Sequence, residues 1–131
     1  RVSLEGPPNL KAPLDHDVNS SVWPLASAGA VYSANTLHII AWHETEAMFR
    51  GIGRVLAPGG RVILYGPFRF GGDYTSTSNA AFEAFLKRRD PASGIRDFEA
   101  VDALAGKEGL RLEANHAMPA NNQLLVWRRF L

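Results

Sequence analysis

The sequence predicts an α/β fold whose sheet is mostly parallel and ends in an antiparallel hairpin. Strand-like and helix-like segments alternate along the first part of the chain, which favours parallel strands joined by crossover helices. Two strand-like segments, 110–118 and 123–130, then follow each other with only a short turn between them, which is typical of a hairpin. The chain has 131 residues, enough for one domain with one core.

Two strands are predicted before the first helix. Residues 14–18 have strand character and end in polar side chains. Residues 29–34 are small and apolar, as in a strand buried on both faces. Asn35 stands where this second strand is expected to stop.

The next unit is a helix, a turn and a strand. Apolar residues recur on one helical face over 43–56, which predicts an amphipathic helix. Pro58-Gly59-Gly60 is expected to end this helix in a tight turn, in which a glycine takes a positive φ. The run 61–65 is the strongest strand pattern in the chain.

Two more helices are predicted before the closing hairpin. Residues 69–77 are rich in Gly, Ser and Thr and are expected to form a loop. Ser78 is the expected cap of a helix over 79–89, which ends before a proline. A further amphipathic helix is expected over 97–107. The segment 119–122 is the expected hairpin turn.

Composition excludes several classes of function. The net charge of +1 argues against a broad nucleic-acid-binding surface. The absence of cysteine excludes disulfides and Cys-ligated zinc, and His16 and His116 lack metal-ligand spacing, so no metal site is expected. No apolar stretch approaches the length of a membrane span. We therefore expect a cytoplasmic protein with no membrane partner.

The turn at residues 54–65, RVLAPGGRVILY, resembles the "LxPGG" turn before strand five of class I S-adenosylmethionine-dependent methyltransferases. Three longer segments resemble one branch of that class, the DUF938 family, whose members are assigned as methyltransferases by their fold. They cover most of residues 17–130 and read SANTLHIIAWHETEAMFRGIGRVLAPGG, LYGPFRFGGDYTSTSNAAFEAFLKRRDP and MPANNQLLVWRR.

The resemblance implies a Rossmann-like class I methyltransferase sheet, of which residues 1–131 would be the carboxyl-terminal part. The glycine-rich cofactor loop of that fold, E/DxGxGxG, does not occur in the sequence, and neither does GxGxxG. We therefore expect the family's N-terminal strands to be missing here. We also expect the fragment alone to be inactive and to bind cofactor poorly. It is expected either to associate as a homo-oligomer or to keep residues 1–28 poorly ordered.

The resemblance also implies the cofactor, S-adenosyl-L-methionine, and some of its contacts. Asp17 and Val18 would follow strand three and contact the adenine, although an aspartate before Asn-Ser equally suits a turn. Asn35 would follow strand four and face the sulfonium or the acceptor, or it simply terminates the strand. Asn35 and His38 are weak candidates for a catalytic role.

The methyl acceptor, a small molecule or another substrate, is not identified by the sequence. Trp42, Tyr65, Pro67 and Asn79 are candidate walls of its pocket. The competing interpretation of His38 is a structural, hydrogen-bonded role. The competing interpretation of Tyr65 and Pro67 is that they belong to a strand that ends in a turn. The competing function is a non-catalytic binding or scaffold protein that keeps the methyltransferase fold.

Overall fold

A computed structural model describes Leu14 and residues 16–130 of the chain. The described residues form a main sheet, a small second sheet and three helices. In chain order the elements are β1 (Ala28–Ala34), α1 (Trp42–Val55), β2 (Leu56–Gly66), β3 (Phe68–Phe70), β4 (Asp73–Tyr74), α2 (Thr77–Arg89), β5 (Arg96–Asp97), α3 (Phe98–Lys107), β6 (Leu110–Met118), a 3-10 turn (Pro119–Asn121) and β7 (Asn122–Arg129).

The main sheet is mixed, with strand order β1-β2-β7-β6. β1 and β2 are parallel, whereas β2–β7 and β7–β6 are antiparallel. The predicted α/β fold and its closing antiparallel hairpin are confirmed. The expectation of a mostly parallel sheet is wrong for the described residues, because β7 returns between β2 and β6 and gives β2 an antiparallel neighbour.

The predicted strand over 14–18 is also wrong. His16 and Asp17 lie in no regular element and Val18 begins a turn, while Asp15 lies outside the described residues. The Asp17 carboxylate accepts a hydrogen bond from the Asn19 N–H at 2.9 Å, and its carbonyl accepts one from the Ser20 N–H at 3.0 Å. This local side-chain bond closes a turn and so competes with strand pairing.

The Pro-Gly-Gly turn forms a bulge at the start of β2. Between Leu56 and Arg61 the pairing partner on β1 moves only from Ala28 to Ala30. Gly59 has a φ of 77°, which confirms the expected left-handed glycine. The strand is therefore longer than the predicted 61–65, and the chain turns from α1 into the sheet without a separate loop.

Around α2 the structure differs from the sequence prediction in two ways. The helix begins at Thr77, and its cap is Ser76 rather than Ser78: the Ser76 hydroxyl accepts the Asn79 N–H at 3.1 Å. The preceding segment was expected to be a loop, but it contains β3 and β4, which pair with each other in the small sheet.

The core lies between the main sheet and helices α1 and α3. Its centre is Trp127 on β7, which is fully buried and packs edge-on against Phe49 and face-on against Phe98. The Trp127 indole N–H donates to the Asp102 carboxylate at 2.8 Å, which satisfies its only polar atom. This bond ties α3 to the strand beside β2.

Replacing Asp102 with alanine is expected to lower the free energy of unfolding by about 1–3 kcal/mol, because the buried indole N–H loses its acceptor. Urea unfolding would measure the change. The matched control is Asp102→Asn, which keeps an acceptor oxygen and is expected to retain most of the stability. Equal midpoints for the alanine variant and the unchanged protein would contradict the assignment.

Candidate active site

The carboxyl ends of β1 and β2 meet at one edge of the sheet because the two strands are parallel. Ala34 pairs with Tyr65, and the Asn35 N–H donates to the Tyr65 carbonyl at 2.8 Å, which extends the pairing by one residue. Asn35 then takes a left-handed conformation with φ 54°, which asparagine tolerates better than most residues. The backbone turns here, and the next residues leave the sheet.

His38 follows this turn and is 6% exposed. Its ring lies beside the end of β2, since a β-carbon placed on Gly66 would stand 3.7 Å from the imidazole Nδ1. On the other side the ring faces Phe82 of α2, with 5.6 Å between ring centroids. The imidazole is thus held between a strand end and a helix.

The backbone around His38 is fixed by residues from a distant part of the chain. The Arg96 guanidinium donates to the carbonyls of Leu37 at 3.0 Å and Ile40 at 2.5 Å. The Gly94 N–H donates to the His38 carbonyl at 3.0 Å. These bonds restrain both sides of the turn, so the imidazole keeps one position relative to the sheet edge.

Burial lowers the pKa of His38 from its ordinary value of 6.5, and the positive charge of Arg96 lowers it further. The imidazole is therefore neutral at pH 7 and keeps a lone pair that can accept a proton. Neither ring nitrogen has a hydrogen-bond partner among the described residues, and neither is sealed inside the protein. Such a nitrogen is available to a ligand.

A cavity of about 450 Å³ opens beside His38, a size typical of small-molecule sites. It contains side chains from the ends of β1 and β2, from the first turns of α2 and from the hairpin turn. Its lining residues are Asn35, His38, Pro67, Ser78, Asn79, Phe82, Ala120 and Asn122. None of these side chains is acidic or permanently charged, so the cavity has a neutral lining.

The hairpin turn is joined to α2 by hydrogen bonds beside the cavity. Asn79 is buried and donates to the Asn121 carbonyl at 3.2 Å, while the Asn121 amide donates to the Ser78 hydroxyl at 3.1 Å. Ala120 and Asn121 both take left-handed φ values, 62° and 60°, which shape the turn. The turn therefore serves as one wall of the cavity.

Of the residues singled out in the sequence, the structure brings Asn35, His38, Pro67 and Asn79 to this cavity. The hydroxyl of Tyr65 lies next to it and accepts a hydrogen bond from Asn122 at 3.3 Å.

The other candidates lie elsewhere. Asp17 lines a separate hollow of about 520 Å³ with His16 and Trp23, and Val18 packs against the core. Trp42 begins α1, packs against the core and lies under the Arg96 guanidinium, 5.8 Å from its ring centre.

The sequence interpretation missed four lining residues, Ser78, Ala120, Asn122 and Phe82. Among them Phe82 supplies the aromatic surface. It stands three positions after Asn79 on α2, and residues at that spacing share one face of a helix. This spacing was the available signal. The pattern of α2 obscured it, because this helix buries only Asn79 and Leu86 and lacks a clear apolar face.

Across residue 14 and residues 16–130, no helix combines the length and the apolar character needed to cross a membrane. In the same residues, no three side chains among His, Asp and Glu come together in a way that could hold a metal ion.

Residues 3–129 match the family model described as "Protein of unknown function (DUF938)". This chain belongs to the DUF938 family. The match extends over nearly the whole sequence and includes every element around the cavity, so the site described above is part of the region that defines the family.

Solved structures with a similar fold include O-methyltransferases. An O-methyltransferase family 2 protein from Planctomyces limnophilus, in complex with apigenin, is 15% identical with a TM-score of 0.74, covering 86% of this chain and 34% of that one. The mitomycin 7-O-methyltransferase MmcR is 19% identical with a TM-score of 0.73, covering 88% and 33%. CalO1, a methyltransferase in calicheamicin biosynthesis with SAH bound, is 16% identical with a TM-score of 0.64, covering 79% and 30%.

At these identities the similarity shows the fold alone. This member of the DUF938 family has an α/β fold with a mixed sheet like that of the carboxyl-terminal part of these methyltransferases. The chain spans about a third of the length of each structure that it matches.

The stability of the protein is expected to fall between about pH 7 and about pH 5, partly because of His38. Its pKa is lower in the folded state, so near pH 6 the unfolded chain binds more protons and stability rises with pH. One such group contributes a slope of at most about 1.4 kcal/mol per pH unit. Urea unfolding at several pH values would measure it.

His38→Gln is the matched variant, since glutamine is polar but does not titrate in this range. It is expected to lose less stability on acidification than the unchanged protein. An identical pH dependence for the two proteins would show that His38 titrates normally in the folded state.

Proposed function

We propose that this protein, in its full-length form, transfers a methyl group from S-adenosyl-L-methionine to a hydroxyl group bound in the cavity beside His38. The observation that carries the proposal is a neutral, buried imidazole next to Asn35 at the carboxyl ends of two parallel strands. In open α/β sheets ligands bind at this edge. The O-methyltransferase fold and the SAH-bound relative support the same conclusion.

The described residues fit part of an S-adenosylmethionine site. The Asn35 side chain is exposed at the sheet edge and forms no side-chain hydrogen bond within the described part of the chain, so it would contact a polar part of the cofactor. Asp17 stays a proposed adenine contact, although one carboxylate oxygen already accepts the Asn19 N–H. Val18 would add apolar contact, yet it also packs against the core.

When bound, the cofactor supplies a methyl group on a sulfonium, whose leaving group is a neutral thioether. The cavity would hold the acceptor hydroxyl for this transfer, and alignment is the main requirement of such a displacement. His38 would take the proton of the acceptor hydroxyl and later release it to solvent. The buried surroundings of the imidazole keep it neutral and ready for this step.

A second candidate function is a non-catalytic binding or scaffold protein with the methyltransferase fold. It would apply if the full-length protein lacked the E/DxGxGxG loop, which does not occur in these 131 residues. The two functions differ in whether the full-length protein binds an S-adenosyl compound, so one binding measurement separates them.

Titration calorimetry of the full-length protein with S-adenosylhomocysteine is expected to show binding, and Asn35→Ala is expected to weaken it by about 0.5–1.5 kcal/mol, the contribution of one hydrogen bond. The matched control is Asn115→Ala on the exposed face of β6, which should leave binding unchanged. No detectable binding by the full-length protein would support the scaffold alternative.

Exchanging His38 for glutamine is expected to lower kcat for methyl transfer to a hydroxyl group by roughly 100- to 10,000-fold, because the acceptor proton loses its base. The KM for S-adenosylmethionine should not change, since His38 faces the acceptor side. Transfer of a radiolabelled methyl group to a panel of aliphatic alcohols and phenols would measure both constants. An unaltered kcat would remove His38 from the chemistry.

A further inference from the structure

The cavity beside His38 contains side chains whose hydrogen-bonding state is fixed by their neighbours. The Asn79 side-chain amide donates to the Thr75 hydroxyl at 3.1 Å and to the Asn121 backbone carbonyl at 3.2 Å. A carbonyl can only accept, so the NH₂ group of Asn79 must be the one that points to it. Both amide hydrogens are then used, and the oxygen is the polar atom left over.

Asn122 is fixed in the same way. Its NH₂ group donates to the Pro119 carbonyl and to the Tyr65 hydroxyl, each at 3.3 Å. The amide oxygen is again left over. In the described part of the chain no group donates to either oxygen, and neither oxygen is sealed inside the protein. With the His38 lone pair, the cavity thus offers three acceptors to a ligand.

A charged ligand would have no oppositely charged partner among the lining residues. Arg96, whose charge acts on His38, donates through Nε and one terminal nitrogen to the backbone carbonyls of Leu37, Ile40 and Ala92 and is not part of the lining. An anion would lose water without gaining a positive partner, and an ammonium group would find no carboxylate. A neutral molecule that donates hydrogen bonds to these three acceptors avoids both costs.

The remaining lining residues are Asn35, Ser78 and Ala120, together with Phe82 and Pro67, which give the cavity apolar surface. The Phe82 ring faces the cavity side of α2 next to His38, and it is held by a nearly parallel stack on Phe85, with 6.2 Å between centroids. Pro67 is buried at the end of β2 and adds a second apolar surface. Flat rings of this kind pack best against another aromatic ring.

We propose that the cavity binds an uncharged aromatic molecule through its hydroxyl groups, with the ring against Phe82 and the hydroxyls donating to His38, Asn79 and Asn122. This inference rests on the proposed function, because it names the acceptor class of the same site. It adds that the acceptor is recognised by the hydrogen it donates, so the methylated product is bound more weakly than the acceptor.

The test is binding of three probes to the full-length protein without S-adenosylmethionine, measured by calorimetry: 2-naphthol, 2-methoxynaphthalene and 2-naphthoate. They share one ring system, but only 2-naphthol is both neutral and a donor. We expect 2-naphthol to bind at least about tenfold more tightly than either analogue, because an unpaired buried acceptor penalises the others. Equal binding of 2-methoxynaphthalene, or tighter binding of 2-naphthoate, would overturn the proposal.

Substitutions of phenylalanine test whether 2-naphthol binds in this cavity. Phe82→Ala is expected to weaken 2-naphthol binding by about tenfold through loss of ring contact. Phe130→Ala, an exposed phenylalanine after β7, is the matched control and should have no effect. If Phe82→Ala proves poorly folded by circular dichroism, Phe82→Leu replaces it as the test variant, because leucine keeps apolar volume but not the flat ring. Unchanged 2-naphthol binding by Phe82→Leu would overturn the ring contact.

Binding of 2-naphthol and binding of S-adenosylhomocysteine test the acceptor class and the proposed methyl transfer separately. Binding of S-adenosylhomocysteine without binding of 2-naphthol would leave methyl transfer standing and show that the acceptor class is wrong. Binding of 2-naphthol without binding of S-adenosylhomocysteine would support the aromatic hydroxyl site and contradict methyl transfer.

Discussion

The position of β2 between a parallel and an antiparallel neighbour determines the rest of the structure. Pairing with β1 brings two strand ends to one edge, and pairing with β7 places the hairpin turn beside that same edge. Val62 and Leu64 are fully buried, so a shift of β2 by one residue would turn these side chains out of the core. The core and the candidate site therefore both depend on the register of β2.

The candidate site is assembled from four separate segments, which are held in place by hydrogen bonds from distant parts of the chain. The turn that carries His38 is held by Arg96, far along the chain, and the wall opposite is held by Asn79 and the hairpin. The helix α2 buries only Asn79 and Leu86, so its place on the cavity depends on these polar bonds more than on apolar packing. The electrostatic environment of the imidazole is thus a product of tertiary structure.

Local patterns predicted the elements that local physics determines. The helical period over 43–56 gives α1, and the Pro-Gly-Gly turn contains the expected positive φ at Gly59. The parallel pair and the strand end at Asn35 follow from alternation of elements. These features depend on residues within a few positions of each other, so the sequence alone contains the information.

Other features depend on competition or on distant partners. Asp17 prefers a turn bond to Asn19 over strand pairing, and Ser76 caps α2 in place of the equally suitable Ser78. Phe82 reaches the cavity only because α2 packs across the strand ends. The local propensities of such alternatives differ little, and the tertiary contacts that decide between them are not visible in a short window of sequence.

The two outer strands of the main sheet differ in how they meet their surroundings. β6 carries Arg111, Glu113 and His116 as exposed side chains, and charge along an edge opposes pairing with another strand. β1 reads AGAVYSA, with no charged residue, and its second edge has no partner within the described residues. Another strand can therefore pair with β1 through main-chain hydrogen bonds. The exposed side chains of β6 oppose such pairing at the other edge of the sheet.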